Sequence, residues 1–262
     1  RLGYSAARSN REFAARERAW MKVSIVIPTL DEAGNLEKAV AALAPADPEI
    51  EVLVSDGGSK DATFELAKAL GLRVVQGPKG RGQQLRRGAE TATGEVLVFL
   101  HADTLLGPGA IAALRAALDE PSLVGGNFQL RFSGDSAFAT WLTDFYSRIR
   151  ARGFYYGDSA VFVRRSVYES LGGIRPIALM EDFDFIRRME RAGRTVCIAD
   201  PPALTSSRRF EGRKPWRIVS QWIVIHLLFF VGCPPGLLAR LYRSGTHRPG
   251  REKRSRSVTK ES

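Results

Sequence analysis

Polar and acidic side chains stand where three apolar segments of this chain end. The stretch at 96–100 runs into His101, Ala102 and Asp103, the stretch at 51–54 into Ser55 and Asp56, and the stretch at 23–27 into Pro28, Thr29 and Glu32. In open parallel sheets, ligands bind just beyond the carboxyl ends of the strands. A carboxylate at such an edge can hold a divalent cation against a phosphate.

A single Asp at a strand end has a second explanation, because Asp103 could cap the helix predicted to start near Pro108. Several acids at one edge are harder to explain by capping, since they repel one another without a cation or a donor-rich ligand. The glycine-rich loop 79–82 precedes another predicted helix and offers backbone N–H groups, Lys79 and Arg81 to a diphosphate. Together these features favour a site for a phosphorylated ligand.

A second acidic group opens the helix predicted at 181–192. Glu181 and Asp182 could simply favour the helix N-terminus, where negative charge is stabilised by about 0.3–1 kcal/mol. Alternatively, one of them is a general base, since a carboxylate within hydrogen-bond reach can take a proton from an attacking hydroxyl. Asp158, after Gly157, has two possible roles as well: it accepts a hydrogen bond from a ligand hydroxyl or stands in a turn at a strand edge.

The elements that position these residues follow from the spacing of apolar residues. The first half alternates short apolar runs with helical periodicity, which predicts a doubly wound, mostly parallel α/β sheet of the Rossmann-like kind. The second half is less regular and predicts a smaller mixed sheet on the acceptor side. Strands are predicted at 22–28, 51–55, 73–76, 96–100, 124–132, 158–163 and 195–199, and helices at 32–43, 61–70, 83–93, 108–118, 138–150, 165–171 and 181–192.

Composition limits the classes of protein. With 262 residues and 44% hydrophobic content the chain can bury a full core. Its net charge of +11 suits an anionic partner, such as phosphorylated substrates, a membrane surface or nucleic acid. The excess charge lies near the two ends, and no aromatic–basic interleaving marks the core, so no nucleic-acid partner is expected. Cys197 and Cys233 lack metal-ligand spacing, which favours buried free thiols in a reducing, cytoplasmic compartment.

Four regions are expected along the chain. Residues 1–20 form a disordered extension without the apolar core of a secretory signal, 21–210 the α/β domain, 211–243 an apolar helical segment, and 244–262 a basic disordered tail. The apolar segment is interrupted by polar residues and falls short of the roughly 20 consecutive apolar residues that span a bilayer. It either packs on the domain or, as we favour, lies on the cytoplasmic face of a membrane. The second possibility suggests a lipid, carotenoid or other apolar ligand.

Four motifs in order carry a family resemblance. The segments VSIVIPTLDE from Val23, VSDGGSKDAT from Val54, KGRG from Lys79 and HADT from His101 resemble those of a non-processive bacterial family 2 glycosyltransferase of the GT-A fold, over about residues 22–200. The resemblance implies a nucleotide-diphosphate-sugar donor and a divalent cation, Mn²⁺ or Mg²⁺. The nucleotide-sugar site that it implies comprises Pro28, Thr29, Glu32, Asp56, Lys79, Arg81, His101, Ala102 and Asp103.

The resemblance also assigns roles on the acceptor side. It implies Asp182 as the general base, with Glu181 supporting it or alternating with it, and an acceptor-side loop at Gly157 and Asp158. Asp61 matches the second Asp of its motif and is expected to cap a helix. The reaction implied is inverting, metal-dependent transfer of a sugar to an acceptor hydroxyl or carboxyl group.

Two departures from the family pattern matter. His101 stands at the first position of the DxD motif, so the implied metal ligands are Asp103 and His101, and imidazole suits Mn²⁺ better than Mg²⁺. The Gln-x-x-Arg-Trp motif of processive members is absent around Arg208, Arg209, Arg213 and Trp216, which indicates a single transfer, although Arg209 or Arg213 could still meet the diphosphate. Two alternatives remain: a sugar nucleotidyltransferase, and a non-catalytic sugar-nucleotide binder suggested by His101.

Overall fold

A computed structural model describes residues 21–43, 47–134, 137–206 and 215–246. The extension 1–20, the residues Arg208, Arg209 and Arg213, and the basic tail beyond residue 246 lie outside this description. The strands are β1 Val23–Thr29, β2 Ile50–Asp56, β3 Arg73–Gln76, β4 Val96–Phe99, β5 Thr104–Leu106, β6 Leu123–Ser133, β7 Val161–Arg164 and β8 Arg194–Ser206. The helices are α1 Ala33–Leu43, α2 Thr63–Ala69, α3 Arg81–Thr91, α4 Ala110–Ala117, α5 Ala137–Arg150, α6 Arg165–Ser170, α7 Glu181–Ala192, α8 Pro215–Phe230 and α9 Pro235–Thr246.

The described strands form one sheet in the order β3-β2-β1-β4-β7-β6-β8-β5. The first four are parallel, and the register pairs Thr29 at the end of β1 with Asp56 at the end of β2. The mixed part continues the same sheet, because β7 pairs antiparallel to both β4 and β6. This arrangement confirms the α/β fold class, and it brings the carboxyl ends of the parallel strands to one edge.

Both faces of the parallel strands are covered, which explains their nearly continuous apolar sequences. One core cluster includes Ile25, Ile27 and Val98 with Leu36 of α1, and a second lies on the opposite face around Val26. Burial on both faces therefore requires apolar residues along the strands. The polar residues beyond the strand ends are not part of either core and can serve a site at this edge of the sheet.

Three elements differ from the predicted ones. β5 was not predicted, since three residues following a polar motif carry no periodic signal. β8 was predicted to end at 199 but continues to Ser206, and its two prolines fall where the register with β6 shifts, so no ladder bond is lost to them. The strand predicted from Asp158 begins at Val161, because Gly157–Ser159 is a short 3₁₀ turn and Ala160 has a φ of 50°.

The helices α8 and α9 pack on the domain by one face. Ile218 and Ile225 of α8 and Leu238 of α9 are buried, whereas Leu227 and Phe230 are each 60% exposed. The segment therefore combines a packed face with an apolar face open to its surroundings. Within the described ranges, no helix has the length and hydropathy needed to cross a bilayer.

Candidate active site

Two cavities meet at the carboxyl edge of the parallel strands. The polar cleft, of about 620 Å³, is lined by Pro28, Thr29, Leu30, Glu32, Lys79, Gly80, Arg81, Gln83, Gln84, His101, Ala102, Asp103, Pro176, Ile177 and Ala178. The aromatic cavity, of about 190 Å³, is lined by Arg81, His101, Tyr146, Tyr156, Asp158, Ala178, Leu179, Met180, Glu181, Asp182, Trp222, Ile225, His226 and Tyr242. Arg81, His101 and Ala178 belong to both linings and mark the junction of the two cavities.

The structure brings most of the predicted site residues together. Every residue predicted for the nucleotide sugar except Asp56 lines the polar cleft. Glu181, Asp182 and Asp158 line the aromatic cavity, so they stand on the far side of the junction. Asp103 in the polar cleft and the Glu181–Asp182 pair in the aromatic cavity, about 80 positions apart in sequence, thus line two adjoining cavities.

Asp182 is held in place by three donors. Its Oδ2 accepts a hydrogen bond from the Gly157 N–H at 2.9 Å and lies 3.3 Å from an Nη2 of Arg81, and its Oδ1 accepts from the Phe183 N–H at 2.8 Å. Burial pushes the pKa of Asp182 upward, but the charge of Arg81 and the backbone donors outweigh it and hold the pKa below its ordinary value. Asp182 is therefore ionised at neutral pH.

Arg81 joins the two carboxylates at the junction. Its Nε donates to Glu181, whose side chain is 2% exposed. Burial raises the pKa of Glu181, and the opposing charge of Arg81 does not fully compensate. Burial disfavours the Arg81 cation, yet the negative charges of Asp182 and Glu181 more than restore it, so the pKa of Arg81 is raised. The guanidinium thus stays charged where it can meet both cavities.

A close helix contact places Arg81. It begins α3, and the next residue, Gly82, lies so near α7 that a Cβ there would stand 2.9 Å from the Arg175 carbonyl oxygen and 3.2 Å from the Glu181 Cβ. Only glycine allows the start of α3 to approach the start of α7 this closely. The sequence shows the glycine, but nothing in it identifies the distant partner.

We expect Gly157→Ala to lower transfer by about ten- to hundredfold while the protein stays folded. A Cβ at this position would lie 3.1 Å from both Asp182 Oδ2 and His101 Nε2, so these side chains or the turn must give by a few tenths of an ångström, which disturbs the hydrogen bond that orients Asp182. Steady-state kinetics together with a thermal melt would measure both effects. Gly107→Ala, at an open position outside the site that likewise has no positive φ, is the matched control; equal rates for Gly157→Ala and wild type would contradict the assigned contact.

Asp56 is fully buried at the end of β2 and does not line the polar cleft. Its carboxylate accepts from Thr29, the Gly58 N–H, Ser59 and Gln76. Burial alone would raise the pKa of Asp56, but the hydrogen bonds lower it by more, so the net pKa is below its ordinary value and the group is ionised. A nucleotide base that bonded to Asp56 would have to displace one of these donors.

Two residues outside the predicted site, Asp31 and Gln84, shape the first loop. Asp31 has a φ of 57°, and its carboxylate accepts from the Lys60 N–H at 2.6 Å, which ties this loop to the turn after β2. Gln84 of α3 is buried, and its amide donates to the carbonyls of Thr29 and Ser55 at 2.7 and 3.0 Å. Nothing in the sequence around Gln84 indicates that its side chain bonds to the carbonyl groups of two strands. Asp61, expected to cap a helix, accepts from the Thr63 N–H at the start of α2.

The two residues predicted to hold a metal, Asp103 and His101, line the same cleft but do not form a complete site by themselves. Asp103 and His101 both line the polar cleft, but His101 is buried and its Nε2 lies close to Gly157 on the Asp182 side. Among the described residues, no group of three His, Cys, Asp or Glu side chains is placed to hold an ion. The predicted donor set therefore amounts to two side chains, and a cation held there would take its remaining ligands from a bound diphosphate or water.

The C-terminal helices supply a wall that was not predicted. His226 of α8 places its Nε2 3.0 Å from the Tyr156 hydroxyl and its Nδ1 2.7 Å from the Trp222 carbonyl oxygen. Trp222 stacks on Phe145 of α5, with ring centroids 6.1 Å apart. The apolar spacing of this segment indicated a helix, but not which side chains would enter a cavity.

The chain is similar in sequence to known glycosyltransferases. The model of glycosyl transferase family 2 matches residues 24–169, which include the polar cleft's first loop, Asp103 and Gly157. A PGL/p-HBAD biosynthesis glycosyltransferase of Mycobacterium bovis is 30% identical over 198 residues, covering 70% of this chain and 72% of the relative. Glycosyltransferase AglE of Haloferax volcanii is 28% identical over 169 residues, covering 57% of this chain; the chain spans 55% of that relative.

Solved structures show the same fold at lower identity. Glucosyl-3-phosphoglycerate synthase from Mycobacterium tuberculosis, solved with Mn²⁺, uridine diphosphate and glucosyl-3-phosphoglycerate, superposes with a TM-score of 0.59 at 20% identity, covering 84% of each chain. The fold is thus that of the GT-A glycosyltransferases. Because the family model matches more than half of its residues, this chain belongs to glycosyl transferase family 2.

Proposed function

We propose that the protein transfers a sugar from a nucleotide-diphosphate donor in the polar cleft to a hydroxyl or carboxyl group of an acceptor in the aromatic cavity, with inversion at the anomeric carbon. The observation that carries this proposal is the position of Asp182. Its ionised carboxylate lines the aromatic cavity and contacts Arg81, which lines both cavities. A base at this position can contact the hydroxyl group of an acceptor in the aromatic cavity, while the donor's anomeric carbon lies at the junction with the polar cleft.

The reaction follows from these positions. Asp182 takes the proton of the acceptor hydroxyl as its oxygen attacks the anomeric carbon. The bond from that carbon to the diphosphate oxygen breaks, and the leaving diphosphate faces Arg81 and Lys79 of the polar cleft. One base and one direct displacement invert the configuration of the anomeric carbon. Glu181 stays bonded to Arg81 and keeps that cation oriented.

A divalent cation is part of the proposal. Asp103 would supply a hard carboxylate ligand and His101 an imidazole, which together suit Mn²⁺ at least as well as Mg²⁺. When bound, the ion would neutralise the charge of the diphosphate. The Mn²⁺ and uridine diphosphate in the solved relative support this part of the proposal.

We expect Asp103→Ala to abolish metal-dependent donor binding. Removal of the one carboxylate proposed as a ligand leaves His101 alone on the protein side, so affinity in Mn²⁺ should fall to the level seen in EDTA. The measurement is calorimetric binding, with hydrolysis, of UDP-, GDP- and dTDP-sugars in Mn²⁺, Mg²⁺ or EDTA. Asp144→Ala, at an exposed position on α5, is the matched control. Wild-type protein that binds no donor under any condition would overturn the proposed function, and binding without hydrolysis or transfer would favour a non-catalytic binder.

We further propose that the protein lies peripherally on the cytoplasmic face of a membrane through α8 and α9. The support is an apolar face whose large side chains are exposed: Trp216, Ile223, Val224, Leu227, Phe230, Val231, Leu237 and Leu241. Exposed Arg217 and Arg240 on the same helices suit anionic headgroups. Such a position would give access to a lipidic acceptor.

Co-sedimentation with vesicles of phosphatidylcholine and phosphatidylglycerol tests the membrane proposal. We expect wild-type protein to bind the vesicles and Leu227→Asp to bind at least tenfold more weakly. A carboxylate on the apolar face would have to lose its hydration to enter the membrane interface, which is unfavourable. Leu70→Asp, which adds the same charge at a position 40% exposed beyond α2, should bind like wild type. Wild-type protein that stays in the supernatant with these vesicles would refute membrane contact.

A further inference from the structure

We propose that α8 builds the acceptor subsite, with Trp222 and His226 as specificity-determining residues, and that the acceptor is an uncharged molecule with an apolar ring or chain beside its reacting hydroxyl. The proposal rests on the proposed function, since it names the substrate class of the same site. It concerns residues beyond the range that the family model matches.

The wall that α8 supplies is aromatic and aliphatic. Trp222, Ile225 and His226 line the aromatic cavity together with Tyr146 and Tyr156, and Asp182 belongs to the same lining. An acceptor hydroxyl within reach of Asp182 would therefore have the rest of its molecule against these rings. Aromatic walls of this kind bind apolar rings and chains, and the C–H faces of sugar rings.

The charges of the cavity argue against an anionic acceptor. Among the described residues, the part of the lining that comes from α8 and α9 contains no Asp, Glu, Lys or Arg. The charged lining residues are Asp158, Glu181, Asp182 and Arg81, and Arg81 already pairs with Glu181 and Asp182. A phosphate or carboxylate beside the reacting hydroxyl would meet more negative charge than positive. The phosphoglyceric acid in a solved relative thus marks a different kind of acceptor.

A hydrogen-bonded chain from the Trp222 carbonyl through His226 to the Tyr156 hydroxyl orients one polar group in this aromatic wall. The Trp222 carbonyl oxygen only accepts hydrogen bonds, so the His226 Nδ1 beside it carries the proton. In the neutral ring, Nε2 is then an acceptor, and the Tyr156 hydroxyl donates to it at 3.0 Å. Burial and the nearby charges of Asp182 and Asp158 raise the pKa of Tyr156, which keeps the phenol protonated. Its oxygen lone pairs can accept a hydrogen bond from a hydroxyl in the cavity.

The position of Trp222 is fixed before an acceptor enters. Its ring stacks on Phe145 at an interplanar angle of 27° and meets Tyr146 edge-on, with centroids 5.7 Å apart. Phe183 of α7, the residue after Asp182, packs against His226 with ring centroids 5.0 Å apart. The base and the aromatic wall are therefore linked by direct packing, which favours a preorganised subsite.

Transfer assays on the full chain test the proposal, using the donor that the binding panel identifies. The acceptor probes are geraniol, phenyl β-glucoside, octyl β-glucoside, free glucose and 3-phosphoglycerate. We expect kcat/KM at least tenfold higher for the three probes with an apolar group than for glucose or 3-phosphoglycerate. Geraniol would indicate a lipid alcohol as the source of the chemistry, and the two glucosides an apolar glycoside.

Variants separate the α8 wall from the rest of the site. Trp222→Ala and His226→Phe should raise the acceptor KM by about tenfold with little change in donor binding or donor hydrolysis, and Trp222→Leu serves if Trp222→Ala fails to fold. Phe64→Ala removes an aromatic ring of α2 that lines neither cavity and does not contact Trp222 or Phe145, so its KM should match wild type. Preference for 3-phosphoglycerate, or an unchanged KM in the folded Trp222 and His226 variants, would overturn this inference. A wild type that neither binds nor hydrolyses any donor would instead overturn the proposed function.

Discussion

Asp182→Asn should lower the rate of sugar transfer by about a hundred- to ten-thousandfold, while donor affinity stays within a few-fold of wild type. The substitution keeps the size of the side chain, and an amide oxygen can still accept from the Gly157 N–H. It removes the group that takes the acceptor proton. Because Asp182 lines the aromatic cavity and not the polar cleft, donor contacts should persist. Single-turnover kinetics beside calorimetric donor binding would measure both quantities.

Asp184→Asn is the matched control, two residues further along α7. Its carboxylate pairs with Arg175 and Arg188, outside both cavities, so the variant should transfer sugar at close to the wild-type rate. If Asp182→Asn kept more than a tenth of the wild-type rate, another group would have to be the base. Glu181 is then the group to examine, since it stands beside Asp182 and bonds to the same arginine.

The pH dependence of stability gives a second readout on Asp182. Because its folded pKa is lowered, the stability it contributes is fully present above the unfolded value near 3.8 and is lost as the pH falls through the folded value. Urea unfolding of wild type and Asp182→Asn should therefore differ most at neutral pH and converge in strong acid. A difference that grew toward acid would contradict the direction assigned to this pKa.

The parallel half of the sheet could be predicted because its signals are local. Apolar strands such as Val23–Thr29 and the polar residues that follow them are adjacent in sequence, and the rules for parallel connections bring their ends to one edge. The polar cleft was therefore predictable as a set of residues before any coordinate was known.

The aromatic cavity could not be predicted in the same way. Its wall joins Tyr146 and Tyr156 to Trp222 and His226, which meet only through tertiary packing across about 70 positions. Gln84, likewise, matters through carbonyls of distant strands. Apolar periodicity predicts that α8 is a helix with a buried face, but the partner of that face depends on how the whole domain closes.

Arg81→Met should destabilise the protein by about 1–3 kcal/mol and lower transfer at least a hundredfold. Removal of one partner of a buried ion pair costs about 3–5 kcal/mol, but the Arg81 side chain is 35% exposed, so water screens part of the interaction. The buried Glu181 then loses its cation, and Asp182 loses the charge that keeps its pKa low. Urea unfolding and initial rates would measure the two effects. Arg86→Met, on the exposed part of the same helix, should cost under about 0.5 kcal/mol.

The pH and a second substitution identify the cause of that loss. Glu181 has a raised pKa even with Arg81 present, so without the arginine its carboxyl group should bind a proton in mild acid, and the destabilisation should grow as the pH rises from 5 to 8. Arg81→Met combined with Glu181→Gln should recover most of the lost stability, because the uncompensated charge is gone, yet transfer should stay low, because Asp182 and the donor still lack the guanidinium. Recovery of transfer in the double variant would show that Arg81 serves only to neutralise Glu181. Stability that stayed low and independent of pH would instead assign the effect of Arg81 to packing between α3 and α7.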